Sequence, residues 1–364
     1  MLLDFMKLQK HVSGMGRRSF LSVMAVAGSF PMLSSGAEAD DAIGINPQIA
    51  QQWAIFRDKY FHPNGRIIDT GNSGESHSEG QGYGMLFSAA AGDQAAFEVI
   101  WVWARTNLQH KDDALFSWRY LDGHKPPVAD KNNATDGDLL IALALAWAGK
   151  RWKRADYIQD AMNIYGDVLK LMTKSVGPYT VLLPGAVGFL TKDTVTLNLS
   201  YYVMPSLMQA FALTGDAKWT KVMGDGLQII AKGRFGEWKL PPDWLSINLH
   251  TNAFSIAKGW PPRFSYDAIR VPLYLSWAHM LTPELLADFS RFWNHYGASA
   301  LPGWVDLTNG ARSPYNAPPG YLAVASCTGL ASAGELPTLD HAPDYYSAAL
   351  TMLAYIARNQ GDGM

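Results

Sequence analysis

Three acidic segments carry the residue types from which catalysis is built. His77-Ser78-Glu79-Gly80-Gln81-Gly82-Tyr83-Gly84-Met85 sets a glutamate among glycines, where a loop gives way to a helical pattern. Glycine lets backbone and ligand come close, so a carboxyl there can work on a substrate. It can equally be a helix-start carboxylate that answers only the dipole. Ala134-Thr135-Asp136-Gly137-Asp138 opens a run that is almost wholly apolar, from Leu139 to Trp147. Thr and Asp are favoured caps, so one reading has Thr135 or Asp136 capping that helix. In the other, two aspartates at the mouth of a helix buried on all sides are there to be used. Arg263-Phe264-Ser265-Tyr266-Asp267-Ala268-Ile269-Arg270 places Asp267 and Arg270 three apart, one helical turn. That spacing makes either a surface ion pair of little worth or a carboxylate and a guanidinium set together in a cleft. Carboxyls in pairs divide acid from base work: one gives a proton while the other takes one.

The elements that must hold these residues are mostly helical. Asn46 is placed to cap a helix carrying Ile49, Trp53, Phe56 and Tyr60 at spacings of three or four. Further helical patterns are predicted near 82–91, 94–108, 137–149, 153–173, 201–214, 217–232, 267–280, 283–296 and 344–358. Clusters such as Asn72-Ser73-Gly74 and Leu240-Pro241-Pro242-Asp243 break them apart. Only short pieces near 116–120 and 178–194 look like strands. No linker divides residues 40–364, so one domain is expected there. So many helices in succession fit a helical barrel or a plain bundle, and periodicity alone says only mostly α.

Composition narrows the class. Of 364 residues, 48% are hydrophobic and 17% charged, enough for a large core and too few charges for a disordered chain. A net charge of −2 leaves no electrostatic footprint for nucleic acid. The load of 13 Trp, 16 Tyr and 15 Phe fits both a rich core and flat faces for sugar rings. Cys327 is the single cysteine, so no intrachain disulfide forms. It lies in the apolar stretch Tyr321 to Cys327 and reads as a buried, inert thiol.

Together the segments resemble glycoside hydrolase family 8. Ala-Thr-Asp-Gly-Asp followed after two residues by Ile141-Ala142, with Trp152 four beyond Ala148, is similar to that family's signature. Ser-Glu-Gly-x-Gly-Tyr-Gly-Met and Tyr-Asp-Ala-x-Arg-x-Pro resemble its two other acidic motifs, in the same order. The likeness runs from about residue 45 to 355. Within the family the chain looks like the endo-β-1,4-glucanases exported alongside bacterial cellulose synthases.

The resemblance implies an (α/α)6 barrel with a few short β-strands in loops. It implies internal cleavage of β-1,4-glucan, cellulose or carboxymethylcellulose, with inversion at the anomeric carbon. Carried over residue by residue, Glu79 is the general acid and Asp267 the general base, their carboxyls roughly 6.5–9.5 Å apart to admit a water. Asp136 is expected to raise the pKa of Glu79 and to bind and distort the sugar at the point of cleavage. Tyr201, in Asn198-Leu199-Ser200-Tyr201, is expected to hold the water with Asp267, and Arg270 to fix a carboxylate or a sugar hydroxyl. Trp118 falls where family members stack a glucose ring, and Tyr345 and Tyr346 are expected beyond the scissile bond. For all these aromatics, core packing is the equal alternative. His77 is expected to support the acid loop or touch substrate. The chemistry calls for no metal or cofactor, and no ligand spacing such as H-x-x-x-H is present.

The N-terminus reads as an address. Arg17-Arg18-Ser19-Phe20-Leu21, the mild apolar run Val23 to Phe30 and the small-residue end Ala37-Glu38-Ala39 describe a cleaved signal over residues 1–39. The twin arginines resemble a signal for export after folding, to a bacterial periplasm or beyond. An ordinary secretory leader is the alternative. Its removal takes four basic and two acidic residues, leaving a mildly acidic chain without a membrane anchor. Association with cellulose synthase machinery is expected from the same likeness. Rival readings are the same fold acting as xylanase, lichenase or chitosanase, and a non-catalytic glucan-binding component of cellulose export. The chitosan-cleaving branch is expected to place its base elsewhere, and a binding protein has no use for three intact carboxyls.

Overall fold

Glycines set how tightly the central helices cross. A β-carbon on Gly82 would sit 2.7 Å from Leu140 Cβ, and one on Gly137 would sit 2.2 Å from Ser78 Oγ and 2.7 Å from the Glu79 amide nitrogen. These contacts join α2 (Ser78–Ala91) to α4 (Thr135–Arg151), and both helices are buried almost all round. That burial explains their sequences, since a helix without a polar face belongs inside. The structure, a computed structural model, describes residues 44–332 and 334–359.

Helices that alternate between an apolar and an amphipathic sequence alternate between inside and outside. The inner series is α2, α4, α6 (Met204–Thr214), α8 (Arg270–Trp277), α10 (Pro319–Cys327) and α11 (Tyr345–Asn359). Each packs on the next, and α11 packs back on α2, which closes the ring. The outer series is α1 (Pro47–Tyr60), α3 (Gln94–Asn107), α5 (Ala155–Leu171), α7 (Lys218–Lys232) and α9 (Pro283–Ala300). On α5 the buried residues are Tyr157, Ala161, Ile164, Tyr165 and Val168, the spacing of one helical stripe. Among the described residues the sixth outer position holds no α-helix; a 3-10 turn, Leu339–His341, packs there on α1 and α11. This is the expected (α/α)6 arrangement with one outer helix reduced to a turn. Leu139, Leu140, Ile141, Leu143 and Leu145 of α4 are essentially inaccessible. Each contributes about 1.5–3 kcal/mol by burial, and truncating one to alanine costs about 2–5 kcal/mol.

Among the described residues, strands occur only in the connections. β1 (Ser76–His77) pairs with β2 (Arg119–Tyr120), and β3 (Thr173–Val176) with β4 (Tyr179–Leu182), all antiparallel. β5 (Thr194–Leu197), β6 (Leu245–Asn248) and β7 (Phe254–Ile256) form a three-stranded sheet, and β8 (Arg263–Phe264) pairs with β9 (Val305–Asp306).

Asn46 caps α1 by accepting from the Gln48 and Ile49 amides, and Ile49, Trp53, Phe56 and Tyr60 are buried as predicted. Four differences stand out. Helix α10 was not predicted, because Pro319 to Cys327 is apolar on every face and shows no period. Strands β1, β3 and β6 to β9 were missed, being only two to four residues long. Neither Thr135 nor Asp136 caps α4: Ala134 holds the cap position, and the Thr135 hydroxyl donates to the Leu183 carbonyl at 2.7 Å. Cys327 is half-buried rather than buried, with its thiol against the Ala354 carbonyl and pushed up in pKa by burial. From Ile45 onward the described residues form one compact unit. The proposed signal, residues 1–39, lies outside the described residues. Among those described, no helix is long and apolar enough to cross a membrane.

Candidate active site

The N-terminal ends of α2, α4, α8 and α11 face one cleft. Glu79 is the second residue of α2, Asp136 the second of α4, and Arg270 the first of α8. Tyr201 ends the 3-10 turn Leu199–Tyr201 just ahead of α6, and Tyr345 and Tyr346 begin α11. Helix N-termini carry partial positive charge, so a ring of them is a favourable seat for carboxylates. The cleft they surround has a volume of about 510 Å3. Glu79, Asp136, Asp267, Tyr201, Arg270, Trp118, His77, Tyr345 and Tyr346 all line it. Core packing as the alternative for Trp118, Tyr201 and Tyr346 gives way to a half-exposed position; Tyr345 is buried yet still reaches the cleft wall.

Arg270 organises the acids. Its guanidinium is 4% exposed; Nη1 contacts Glu79 Oε1 and lies 3.7 Å from Asp136 Oδ2, while Nη2 donates to Asp267 Oδ1 at 2.8 Å. Asp267 and Arg270 therefore form a pair in the cleft, not on the surface. Nη1 also donates to Tyr83 Oη at 3.1 Å and Nη2 to Ser200 Oγ at 3.1 Å. Tyr83 in turn donates to Glu79 Oε1 at 3.0 Å. Both Tyr83 and Ser200 are buried, so the guanidinium cannot swing away without losing bonds to groups that water cannot reach.

Burial sets the proton affinities. Asp136 is pushed well above the usual carboxylate range by burial first, and the charges of Asp267 and Asp138 add to it against the Gly137 amide bond. Asp267 is raised to about 7 by burial and then by the charge of Asp243, against the Asn198 amide and the Trp244 indole. About 28% of its side chain opens on the cleft. Tyr201 is pushed well above the ordinary phenol value by burial, then by Asp136 and Asp267. Its hydroxyl therefore keeps its proton beside both aspartates.

Trp118 is presented by the β1–β2 ribbon, which also starts α2: the Ser78 amide donates to the Trp118 carbonyl at 3.0 Å. Its indole N–H donates to Asp130 at 2.8 Å, and the Arg119 guanidinium stands over the ring at 4.4 Å. His77 lies parallel to Trp118, centroids 6.4 Å apart, and bonds Glu75 through Nε2 at 2.9 Å.

Sequence reading missed several residues of this neighbourhood. Asp69, Tyr266 and Asp344 line the cleft. Trp244 stacks on Trp260 at 4.9 Å and on Phe189 at 5.7 Å, and meets Tyr201 edge-on. Asp138, which shared a motif with Asp136, instead accepts from the Phe116 amide at 2.9 Å and from Asn133 at 2.7 Å. The aromatic surplus was the only sequence signal for Phe189, Trp244 and Trp260. Among the described residues, no group of three His, Cys, Asp or Glu side chains is arranged to hold a metal ion.

A helical toroid whose inner helices crowd three carboxyls and aromatic rings around one open cleft is the frame of a hydrolase that divides acid and base between side chains. The chain belongs to the glycosyl hydrolases family 8, whose model matches residues 24–360. It is 73% identical over 339 residues, 93% of this chain and 98% of the relative, to a probable endoglucanase of Novacetimonas hansenii. Among solved structures, an endoglucanase of Komagataeibacter sucrofermentans matches at 99% identity and a TM-score of 0.85, over 87% of this chain and 99% of that one. The endo-β-1,4-glucanase of Acetobacter xylinum matches at 75% identity and a TM-score of 0.84, over 85% and 98%.

Proposed function

We propose that this glycoside hydrolase is an endo-β-1,4-glucanase that cuts cellulose chains internally by single displacement. The observation that carries the mechanism is the bridge through Arg270, which touches Glu79 with one nitrogen and Asp267 with the other. It supports two carboxyls held close but apart, one at the start of α2 and the other in the turn ahead of α8. Glu79, protonated, donates to the glycosidic oxygen as the C–O bond breaks. Asp267, ionised, takes a proton from a water that attacks the anomeric carbon from the opposite face, so configuration inverts. Each turnover moves one proton from Glu79 to the leaving sugar and one from water to Asp267, and exchange with solvent restores both. Tyr201 holds that water from its second side. Asp136, kept neutral by burial, donates to a hydroxyl of the sugar at the cleavage point. Trp118 stacks a ring on one side of the scissile bond; Tyr345 and Tyr346 serve the other, and His77 steadies Trp118.

The same reading makes residues 1–39 an export signal, residues 40–364 the catalytic domain, and the periplasm or exterior of a bacterium its place of work. The motif resemblance to exported endoglucanases that accompany cellulose synthases supports a role beside cellulose synthesis.

Glu79→Gln tests the reading. Loss of general-acid catalysis should lower kcat on carboxymethylcellulose about 10²–10⁴-fold. Wild-type activity in that variant sinks the assignment. Product anomers followed by NMR should show the α-anomer first, and the β-anomer first excludes inversion. Equal or better turnover of xylan or chitosan would move the substrate class.

A further inference from the structure

We propose that Asp243 is a positioning residue for the base: its carboxylate is the socket that seats the Ser265–Ala268 turn, and it sets its charge beside Asp267. The inference rests on the reading of Asp267 as the base.

The turn that leads into α8 lacks a cap of its own. Ile269 occupies the cap position and no side chain there accepts from the first amides. Asp243, from the loop before β6, takes that part across space. Its Oδ1 accepts from the amides of Ser265 at 3.0 Å, Asp267 at 3.2 Å and Ala268 at 2.8 Å. Its Oδ2 accepts from the Ser265 hydroxyl. The Asp243 amide itself donates to the Arg263 carbonyl at 2.8 Å, which ties the socket to β8. Asp243 is 8% exposed and Ser265 and Ala268 are buried, so their amides have no water as a substitute partner. One carboxylate thus fixes the backbone on both sides of the Asp267 side chain.

That carboxylate also faces the base electrostatically. Burial raises both acids, but four donors fall on Asp243, so it is the member that ionises first, and its charge lifts Asp267. The other groups facing Asp267 are Arg270 from α8, Asp136 from α4, Tyr201 from the 3-10 turn, Tyr321 from α10 and Tyr346 from α11. Arg270 is the only cation among them. The tyrosines are all pushed above their ordinary pKa and stay neutral through the working range.

Asp243→Asn separates charge from geometry. The amide oxygen can keep the three backbone bonds, and its NH2 can donate to Ser265 Oγ in place of the bond that Oδ2 accepted. With the charge gone, the acid limb of the kcat/KM–pH profile on carboxymethylcellulose should move down by about one pH unit, the scale of a lost like-charge neighbour. An unmoved limb, or one moved upward, overturns the proposal. Asp243→Glu is the second variant and serves if the asparagine does not fold. It keeps the charge but displaces the turn, so kcat should fall at least about tenfold with the limb unmoved and KM little changed. A full kcat, or a shifted limb, in that variant also overturns it. Asp267→Asn runs alongside. Near-normal activity there sinks the base assignment itself, whereas an inactive Asp267→Asn with an unshifted Asp243→Asn sinks the socket alone.

Discussion

Arg270 Nη2 donates to Asp267 Oδ1 at 2.8 Å while the other arm of the same guanidinium rests on Glu79. One positive charge cannot balance three ionised carboxyls in a buried cluster, so at least one proton stays with them. Asp136, pushed well above the usual carboxylate range by burial and then by the charges of Asp267 and Asp138, is where that proton rests, which suits a group that donates to the sugar.

Arg270→Lys should lower kcat/KM at least about 100-fold, because an ammonium is a point charge and cannot span two carboxylates as the planar fork does. Arg270→Met leaves buried carboxylates without a partner and should cost about 3–5 kcal/mol of stability. Steady-state kinetics and urea unfolding check the two effects separately. A lysine variant within a few-fold of wild type would mean that Arg270 is not what organises the acids.

Gly137→Ala should damage activity and stability together. The added methyl would meet Ser78 Oγ at 2.2 Å and the Glu79 amide nitrogen at 2.7 Å, and an amide in a helix start has nowhere to move. Separating α2 from α4 here parts Glu79 from Asp136. We expect a loss of about 1–3 kcal/mol in stability, as for other overpacked cores, and a kcat reduced more than about tenfold. Thermal unfolding and kinetics on a soluble cello-oligosaccharide measure both.

Much of this site was legible in the chain because its members sit in local patterns. Glu79, Asp136 and Arg270 each sit at the start of an inner helix, with Asp267 in the turn just ahead of Arg270, and a helix start has a signature in sequence: small or acidic residues before an apolar run. Asn46 was legible for the same reason. Asp243 was not, because it caps a helix start 25 residues away in sequence, Ala268 being its farthest donor. Asp138 was misjudged as Asp136's companion, since nothing local reveals that its partner is the Phe116 amide. Helix α10 escaped because a segment apolar on every face has no period to read. Trp244 and Trp260 meet only through the fold of the β5–β6–β7 sheet, so their spacing in sequence carries no meaning.

Asp138→Asn should flatten the pH dependence of stability. Burial first, with the charge of Asp113 behind it, raises Asp138 from 3.8 to about 8 in the folded chain. Folding therefore binds a proton between those values, so this stabilising contribution is full below about pH 4 and is lost as pH rises toward 8. Asparagine has no proton to take up. The stability difference, wild type minus variant, should fall by about 1.4 kcal/mol per pH unit between roughly pH 5 and 7. Urea midpoints at three pH values test it, and parallel curves would show that Asp138 is ionised in the native protein.

Tyr201→Phe removes one hydroxyl beside Asp136 and Asp267 and leaves the ring against Trp244. If that hydroxyl holds the attacking water, kcat should fall about 10–100-fold with KM nearly constant, the mark of an interaction made in the transition state. A change confined to KM would assign Tyr201 to sugar binding instead.

Trp118→Ala should show the opposite split. The ring lines the cleft but makes no hydrogen bond to Glu79, Asp136 or Asp267; its indole is anchored on Asp130 and Arg119 stands over one face. Losing a stacked sugar should raise KM about tenfold, roughly 1.4 kcal/mol of binding, while kcat on long chains changes less than about threefold. Trp118→Phe should recover part of the loss because it keeps a flat face. If kcat falls and KM holds, Trp118 acts through His77, whose ring lies parallel to it, and the platform for glucose lies elsewhere in the cleft.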